Sequence, residues 1–403
     1  MLWKRIAKKA VRSGMPPSWF GYRWVKRETV PQYLARKQHA IPGISITTIH
    51  DEEEAQNPLP CNIERRSDLP VKWARWGYSF RDVPSKNSGK TFMATLPQCK
   101  VIPCLNRDDN QFWVAILNQD KYSLELDQIS FRPWHAEILR KAGPPERIKR
   151  ATWVIQRVYH NHSHWVTAHL PKFLLLKERG ELYNVLMPAK KNRTPAMDSS
   201  LEMLGIDPDG FQTFENDRPL MVDQLTVLET DRFRPGLLRM VRDAMDNAPS
   251  GNPRPGTPHR RVYISREKAQ RRKLINEQEV WAVLETEGFE KVCMEDLGFP
   301  EQVAIMQQAA IVVAPHGAAI ANTLFCAPGT HVVEIAYPGF PNPNFYALAS
   351  AMGHNYWILD AQGIGKEDPP LIDLHIDPAV VRKTVQQIIR NQQINRNQQI
   401  IRK

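Results

Sequence analysis

The sequence predicts an α/β protein of two domains, with a parallel sheet filling the second. Three observations carry this. Beyond residue 260, short apolar runs alternate with helical stretches at the spacing of βαβ units. The segment 247–259, NAPSGNPRPGTPH, mixes Pro, Gly and Ser in a way that defeats helix and strand alike, and reads as a linker. A chain of 403 residues also exceeds the size at which one hydrophobic core stops growing.

The elements follow in order. Residues 1–40 form a basic arm, with ten Lys or Arg against one acid, Glu28. Wound as a helix, Leu2, Trp3, Ile6, Ala7, Ala10 and Val11 fall broadly on one side, flanked by Lys4, Arg5, Lys8, Lys9 and Arg12. Two readings stay open for residues 1–12: a helix lying on an anionic membrane surface, or a solvated basic end packed on its own protein. The net charge of +11 does not argue for nucleic acid, because no binding motif accompanies it. Residues 41–246 form the N-terminal lobe. Up to about 145 it is Pro-containing and poorly periodic, with a strand over 112–117. Then come a strand over 151–159, a helix over 164–179 stopped by Gly180, and a strand over 185–187. A helix ending at 201–204 before Gly205, a strand over 222–228 and a helix over 235–245 complete the lobe.

The C-terminal lobe covers 260–375. Strands are expected at 261–265, 289–293, 311–314, 332–335 and 356–359. Helices are expected at 277–287, 300–308, from Gly317, and at 345–352. Asn276 and Glu279 suggest a capping box for the helix at 277, and Gly288 closes it. Residues 376–403 form a C-terminal helix whose QQI repeats fray into a polar, disordered tail.

Composition narrows the class. An apolar fraction of 42% and a charged fraction of 24% suit a soluble globular protein. No stretch approaches the roughly 20 apolar residues of a membrane span. The N-terminus lacks the apolar core of a secretory signal, so the expected location is cytoplasmic, with peripheral contact at the inner membrane face if the basic arm binds lipid. Cys61, Cys99, Cys104, Cys293 and Cys326 are scattered without a zinc spacing, and no metal site is predicted.

The chemistry concentrates in IVVAPHGAAIANTLFCAPGTHVVEI, residues 311–335. An apolar strand ends at Pro315, and His316, Gly317 and Ala318 open a helix. Ligands of parallel sheets bind beyond the carboxyl ends of the strands, where a helix N-terminus offers N–H groups to a diphosphate. Gly317 and Ala318 leave room for phosphate oxygens, and His316 is placed to donate to one. Arg266, just past the first strand of the same sheet, is placed to clamp that diphosphate, or else forms a surface salt bridge. Arg271, Arg272 and Lys273 are a solvated face or a second phosphate contact. Glu334 suits a ribose hydroxyl, or is a structural carboxylate.

These pieces resemble a known family. YISR with RRKLINE, then EQVAIMQQAAIVVAPHGAAIANTLFCAPGTHVVEI, are similar to the C-terminal half of glycosyltransferase family 61. NHSHWVTAHLPKFLLLKE, from Asn161 to Glu178, is similar to that family's N-x-x-H-W signature. The resemblance implies a GT-B fold, with two Rossmann-like lobes and a cleft between them. It implies an inverting transfer from a nucleotide sugar, UDP-linked, to a glycan or lipid-linked acceptor in polysaccharide biosynthesis, with no cofactor and no obligatory metal. By the same resemblance Arg266, His316, Gly317, Ala318 and Asn322 fall on the donor side, and Asn161, His164 and Trp165 on the acceptor side.

One position departs from the family. Its members carry Asp or Glu four residues after the signature His, where this chain has Ala168 beside His169. An inverting transfer needs a general base, and His164 is the first candidate, followed by His169 and His162. The missing carboxylate also leaves open a catalytically inactive nucleotide-sugar-binding protein. A dinucleotide oxidoreductase is disfavoured, because no strand is followed by G-x-G-x-x-G with an acid about 20 residues on.

Overall fold

The computed structural model describes residues 25–37, 43–54, 57–70, 79–106, 110–248 and 256–401, together with Ile6, Ala10 and Met15; of 395–401 it describes the backbone. The membrane-surface reading of residues 1–12 therefore lies outside the described residues. The chain forms two compact units. One comprises Met1–Glu53, Gly89–Glu202 and Ile206–Arg232, the other Glu54–Ser88, Met203–Gly205 and Phe233–Lys403.

These boundaries differ from the expected ones in three places, the smallest being Met203–Gly205, which falls in the second unit. The chain enters the second unit at Phe233 rather than after 247–259. The helix Pro235–Asp246 belongs there because Leu237, Leu238, Val241 and Met245 form one apolar face that the second unit buries. Residues 54–88 also belong to the second unit. Cys61 N donates to Tyr356 O at 2.7 Å, and Asn62 bonds both backbone groups of Ile358, so an edge strand is capped rather than left open.

The first unit is built on a seven-stranded mixed sheet. Its strands are β1 (Arg27–Thr29), β2 (Ser45–His50), β3 (Thr91–Asn106), β4 (Gln111–Leu117), β5 (Ser123–Glu125), β6 (Glu146–Trp153) and, after the short pair β7 (Leu186–Pro188) and β8 (Gln212–Phe214), β9 (Leu220–Glu229). The order is β1-β5-β4-β3-β9-β6, with β2 also on β3. β3 runs antiparallel to β2, β4 and β9, while β6 is parallel to β9. A Rossmann-like first lobe is thus corrected to a largely antiparallel one. Between β4 and β5 the reason is local: the tight return Asn118–Tyr122, where Lys121 adopts φ 66°, joins the strands directly, leaving no length for a crossover helix.

The second unit has the predicted parallel sheet. Its strands are β10 (Arg260–Ile264), β11 (Glu290–Val292), β12 (Ala309–Pro315), β13 (His331–Ala336) and β14 (Asn355–Asp360), in the order β11-β10-β12-β13-β14. Helices Glu277–Thr286, Phe299–Gln307 and Asn344–Met352 connect them. Gly288, at φ 73°, ends the first of these as expected. Asn276 does not cap it by side chain: its amide bonds Ile376 on both sides instead, tying in the C-terminal segment. The helix Pro378–Ile401 buries Val381, Val385 and Ile388 in the core shared with Tyr263, Leu284 and Ile335. It stays helical to Ile401 rather than fraying through the QQI repeats.

Candidate functional site

The second unit gathers the residues expected around a phosphate. β12 ends at Pro315, and the chain turns through His316 and Gly317 into a helix, Ala318–Phe325, of the tighter 3-10 type. The Thr323 hydroxyl donates to Ile320 O at 2.8 Å, engaging a carbonyl that an α-helix would give to residue 324. Ile320 N is the first amide to bond back, to Gly317 O; among the described residues the N–H groups of Gly317, Ala318 and Ala319 have no backbone acceptor.

Arg266 leaves β10 and lies directly on Gly317. A Cβ added there would meet Arg266 Nη1 and come within 2.8 Å of Cζ. Packing, not backbone, demands glycine here, since its φ of −174° is ordinary extended chain. Two carbonyls hold the guanidinium: Nε donates to Arg272 O at 3.0 Å and Nη2 to Arg271 O at 2.7 Å. Arg272 in turn donates from Nε to His316 O at 3.3 Å and from Nη1 to Pro370 O at 2.7 Å. Neither guanidinium has a carboxylate ion pair among the described residues. Burial lowers the pKa of both, and for Arg272, brought to about 10, the charge of Arg266 adds to it. Two neighbouring, partly desolvated cations lie beside three N–H groups without backbone acceptors, a grouping suited to a negative charge.

The other donor-side residues are placed differently from expectation. The His316 ring turns inward, its Nδ1–H donating to Glu334, with Nε2 3.5 Å from Asn342 Nδ2. Glu334 is fully buried, and its second oxygen accepts from the Tyr356 hydroxyl at 2.6 Å. It sits two residues before the end of β13 and holds His316, the structural role that the sequence left open beside a ribose contact. Asn322 is also fully buried and donates to Gln302 at 2.8 Å, joining the 3-10 helix to Phe299–Gln307 rather than facing a nucleotide.

In the first unit the expected helix from 164 to 179 is interrupted by a π-turn, Trp165–His169, before the α-helix Leu170–Glu178. Pro171 has no N–H with which to continue the α ladder, and Leu170 N reaches back five residues to Trp165 O. Asn161 is the N-cap, its Oδ1 accepting from His164 N at 3.3 Å. Trp165 is buried with its Nε1 donating to Ser200 at 2.8 Å, so it belongs to the core. His169 is wholly committed: Nδ1–H donates to His164 O, and Nε2 accepts from Gln156 N, both at 3.0 Å. Burial takes its pKa down to about 3. As a base it is excluded, because both nitrogens serve backbone groups.

Asn161 and His162 reach the surface, and so in part does His164. Its Nε2 is 3.4 Å from Arg232 Nη1, and Nδ1 has no partner. Burial, and after it the charges of Arg232 and Arg157, hold its pKa well below 6.5, so it is neutral at pH 7. Arg232 also donates to Thr167 Oγ1 at 2.7 Å and Ser163 Oγ at 2.9 Å, pinning the π-turn. Beside it lie Asp127 and Glu229, with Lys172 fully buried as their counter-charge. Burial raises both carboxyls, Glu229 to about 7. Sequence reasoning missed these groups. The signal was present in Glu229, Asp231 and Arg232, a charged run at the end of a strand, where site residues collect.

Comparison with known proteins bears on this arrangement. Residues 162–333 match the family model described as Glycosyltransferase 61. That region spans the capped π-turn, Arg232, Arg266 and the His316–Gly317 turn, so both sets of polar groups fall inside it. Among curated proteins no relative matches. A solved structure that resembles the chain is the bacterial iron-containing dodecameric glycosyltransferase TibC from enterotoxigenic E. coli. It is 11% identical, covers 77% of this chain and 89% of its own, and has a TM-score of 0.28. At that score the likeness carries no argument. No described helix is long and apolar enough to cross a membrane.

Proposed function

We propose that the protein is an inverting, metal-independent glycosyltransferase. It would take a sugar from a nucleoside diphosphate sugar, UDP-linked, and pass it to a glycan or lipid-linked acceptor in polysaccharide assembly. The observation that carries the reading is the Arg266–Arg272 pair, held by backbone carbonyls against Gly317 and without carboxylate partners. As the bond between the anomeric carbon and the diphosphate breaks, negative charge grows on the leaving group. Two fixed guanidinium groups and the N–H groups of 317–319 stabilise that charge. In the same reading the acceptor hydroxyl attacks the anomeric carbon and gives its proton to the neutral imidazole of His164.

Ala168 supports a second reading, a nucleotide-sugar-binding protein without transfer. The position is 3% exposed, and with His169 committed to backbone it leaves His164, and after it His162, as the candidates from the signature. Calorimetric titration with UDP, GDP, CMP and NAD, with and without EDTA, tests the donor site. Binding of one nucleoside diphosphate, unchanged by EDTA and weakened in Arg266→Ala, is expected; binding of NAD alone, or of none, would overturn the reading. Hydrolysis or transfer of the matching nucleotide sugar by the wild type but not by His164→Ala separates the enzyme from the binding protein.

A further inference from the structure

The first unit contains a second polar concavity, on a face of its sheet that the site groups above do not use. Ser45 on β2, Thr95 on β3, Thr226 on β9 and Thr152 on β6 stand in direct register across four adjacent strands. Their hydroxyls form a row perpendicular to the strands, stepping at roughly 4.8 Å. Thr95 and Thr226 are already within 3.1 Å of each other. Thr47, Gln224 and Arg150 flank the row, and Arg179, Glu181, Tyr183 and Asn184 wall the depression, whose volume is about 270 Å³.

This is more than a solvated sheet face. On β9 the same face carries Val222 and Leu228, both buried, on either side of Gln224 and Thr226. The row is a polar window in an otherwise covered surface. At its rim stands Tyr183, 68% exposed, the most exposed large apolar side chain among the described residues. Glu229, by contrast, alternates to the opposite face of β9.

We infer that this groove binds an oligosaccharide bearing a carboxylate-containing sugar. A row of hydroxyls and amides at regular spacing matches the donors and acceptors that sugar rings repeat along a chain, and an open aromatic face takes their C–H surface. The charge fits an acid. Arg179 is neutralised by a two-fold bond to Glu181, at 2.9 Å each, whereas Arg150 has no ion pair among the described residues. One uncompensated guanidinium beside neutral polar groups selects a single carboxylate per binding segment. The inference stands on the groove's own lining and goes beyond the donor chemistry.

The test is titration of the full chain by calorimetry with tetragalacturonate, with neutral cellotetraose and with monomeric galacturonate. The expected result is binding of the acidic tetramer, at least ten-fold weaker for the neutral tetramer and for the monomer. Arg150→Gln, Tyr183→Ala and Thr226→Val should each weaken the acidic tetramer about five-fold or more. None of these should alter UDP binding, which separates failure here from failure of the donor site and shows that the variants are folded. Equal binding of neutral and acidic tetramers would overturn the charge assignment. No binding of either, or binding untouched by all three substitutions, would overturn the site.

Discussion

Replacing Gly317 by alanine probes the donor site with one methyl group. The backbone tolerates it, since a φ of −174° is open to any residue. The neighbour does not: the new Cβ meets Arg266 Nη1 and stands 2.8 Å from Cζ and 3.4 Å from Cδ. A free arginine would swing aside at little cost. This one is pinned at Nε by Arg272 O and at Nη2 by Arg271 O, so moving it breaks or strains both bonds. At about 1.5 kcal/mol for each hydrogen bond to a charged group, the displacement costs roughly 3 kcal/mol. If that geometry is what grips a diphosphate, UDP affinity falls about 100-fold. The assay is a double-mutant cycle by calorimetry with wild type, Gly317→Ala, Arg266→Ala and the double variant. The methyl acts through Arg266, so its penalty should vanish once Arg266 is gone. Additive losses, or a Gly317→Ala protein that binds UDP as the wild type does, would refute the reasoning.

Three further predictions follow from the same contacts. Glu334→Gln removes the carboxylate that accepts from His316 Nδ1–H and offers an amide to the Tyr356 oxygen; a loss of about 1.5 kcal/mol in UDP binding, roughly ten-fold, is expected by calorimetry. His169→Ala strands Gln156 N–H and the His164 carbonyl in the core and should lower the urea midpoint by the equivalent of about 3 kcal/mol or more, whereas His164→Ala, at a partly open site, should leave it nearly unchanged. Glu229, raised from 4.5 to about 7, adds stability that is fully present below pH 4.5 and is lost as pH rises through 7. Glu229→Gln should therefore gain on the wild type by up to roughly 3 kcal/mol between pH 4.5 and pH 8, read from urea midpoints at both; a constant difference would contradict the burial.

What the sequence disclosed depended on how local its cause was. In the second unit β12, β13 and β14 hold short apolar runs closed by Gly, Pro or a helix signal, and all five strands and the linking helices fall within about two residues of expectation. In the first unit β3 spans 16 residues and contains Pro97 and Pro103, which argue against a strand when read locally; it forms because three partner strands pair with the rest of it. The site shows the same division. That Arg266 and Gly317 meet followed from the rule that strand ends converge. That Glu334, Asn322, Trp165 and His169 are consumed by internal bonds did not, because a buried partner such as Gln302 or Gln156 leaves no mark on the sequence. Arg232 and Glu229 were hidden for the same reason, since their partners, Ser163 and Thr167 for Arg232 and Lys172 for Glu229, lie far along the chain.

The segment 54–88 also has a temporal meaning. Asn62 finds its partner Ile358 only 296 residues later. At about 5–20 residues per second, a ribosome needs roughly 15–60 seconds to supply it. Through that interval the early segment has been synthesised without its native neighbour, and β14, once made, pairs with no other strand at its outer edge among the described residues. Cutting the gene at the apparent linker would make the wait permanent, so fragments expressed as separate halves should precipitate unless residues 54–88 are supplied alongside the C-terminal piece.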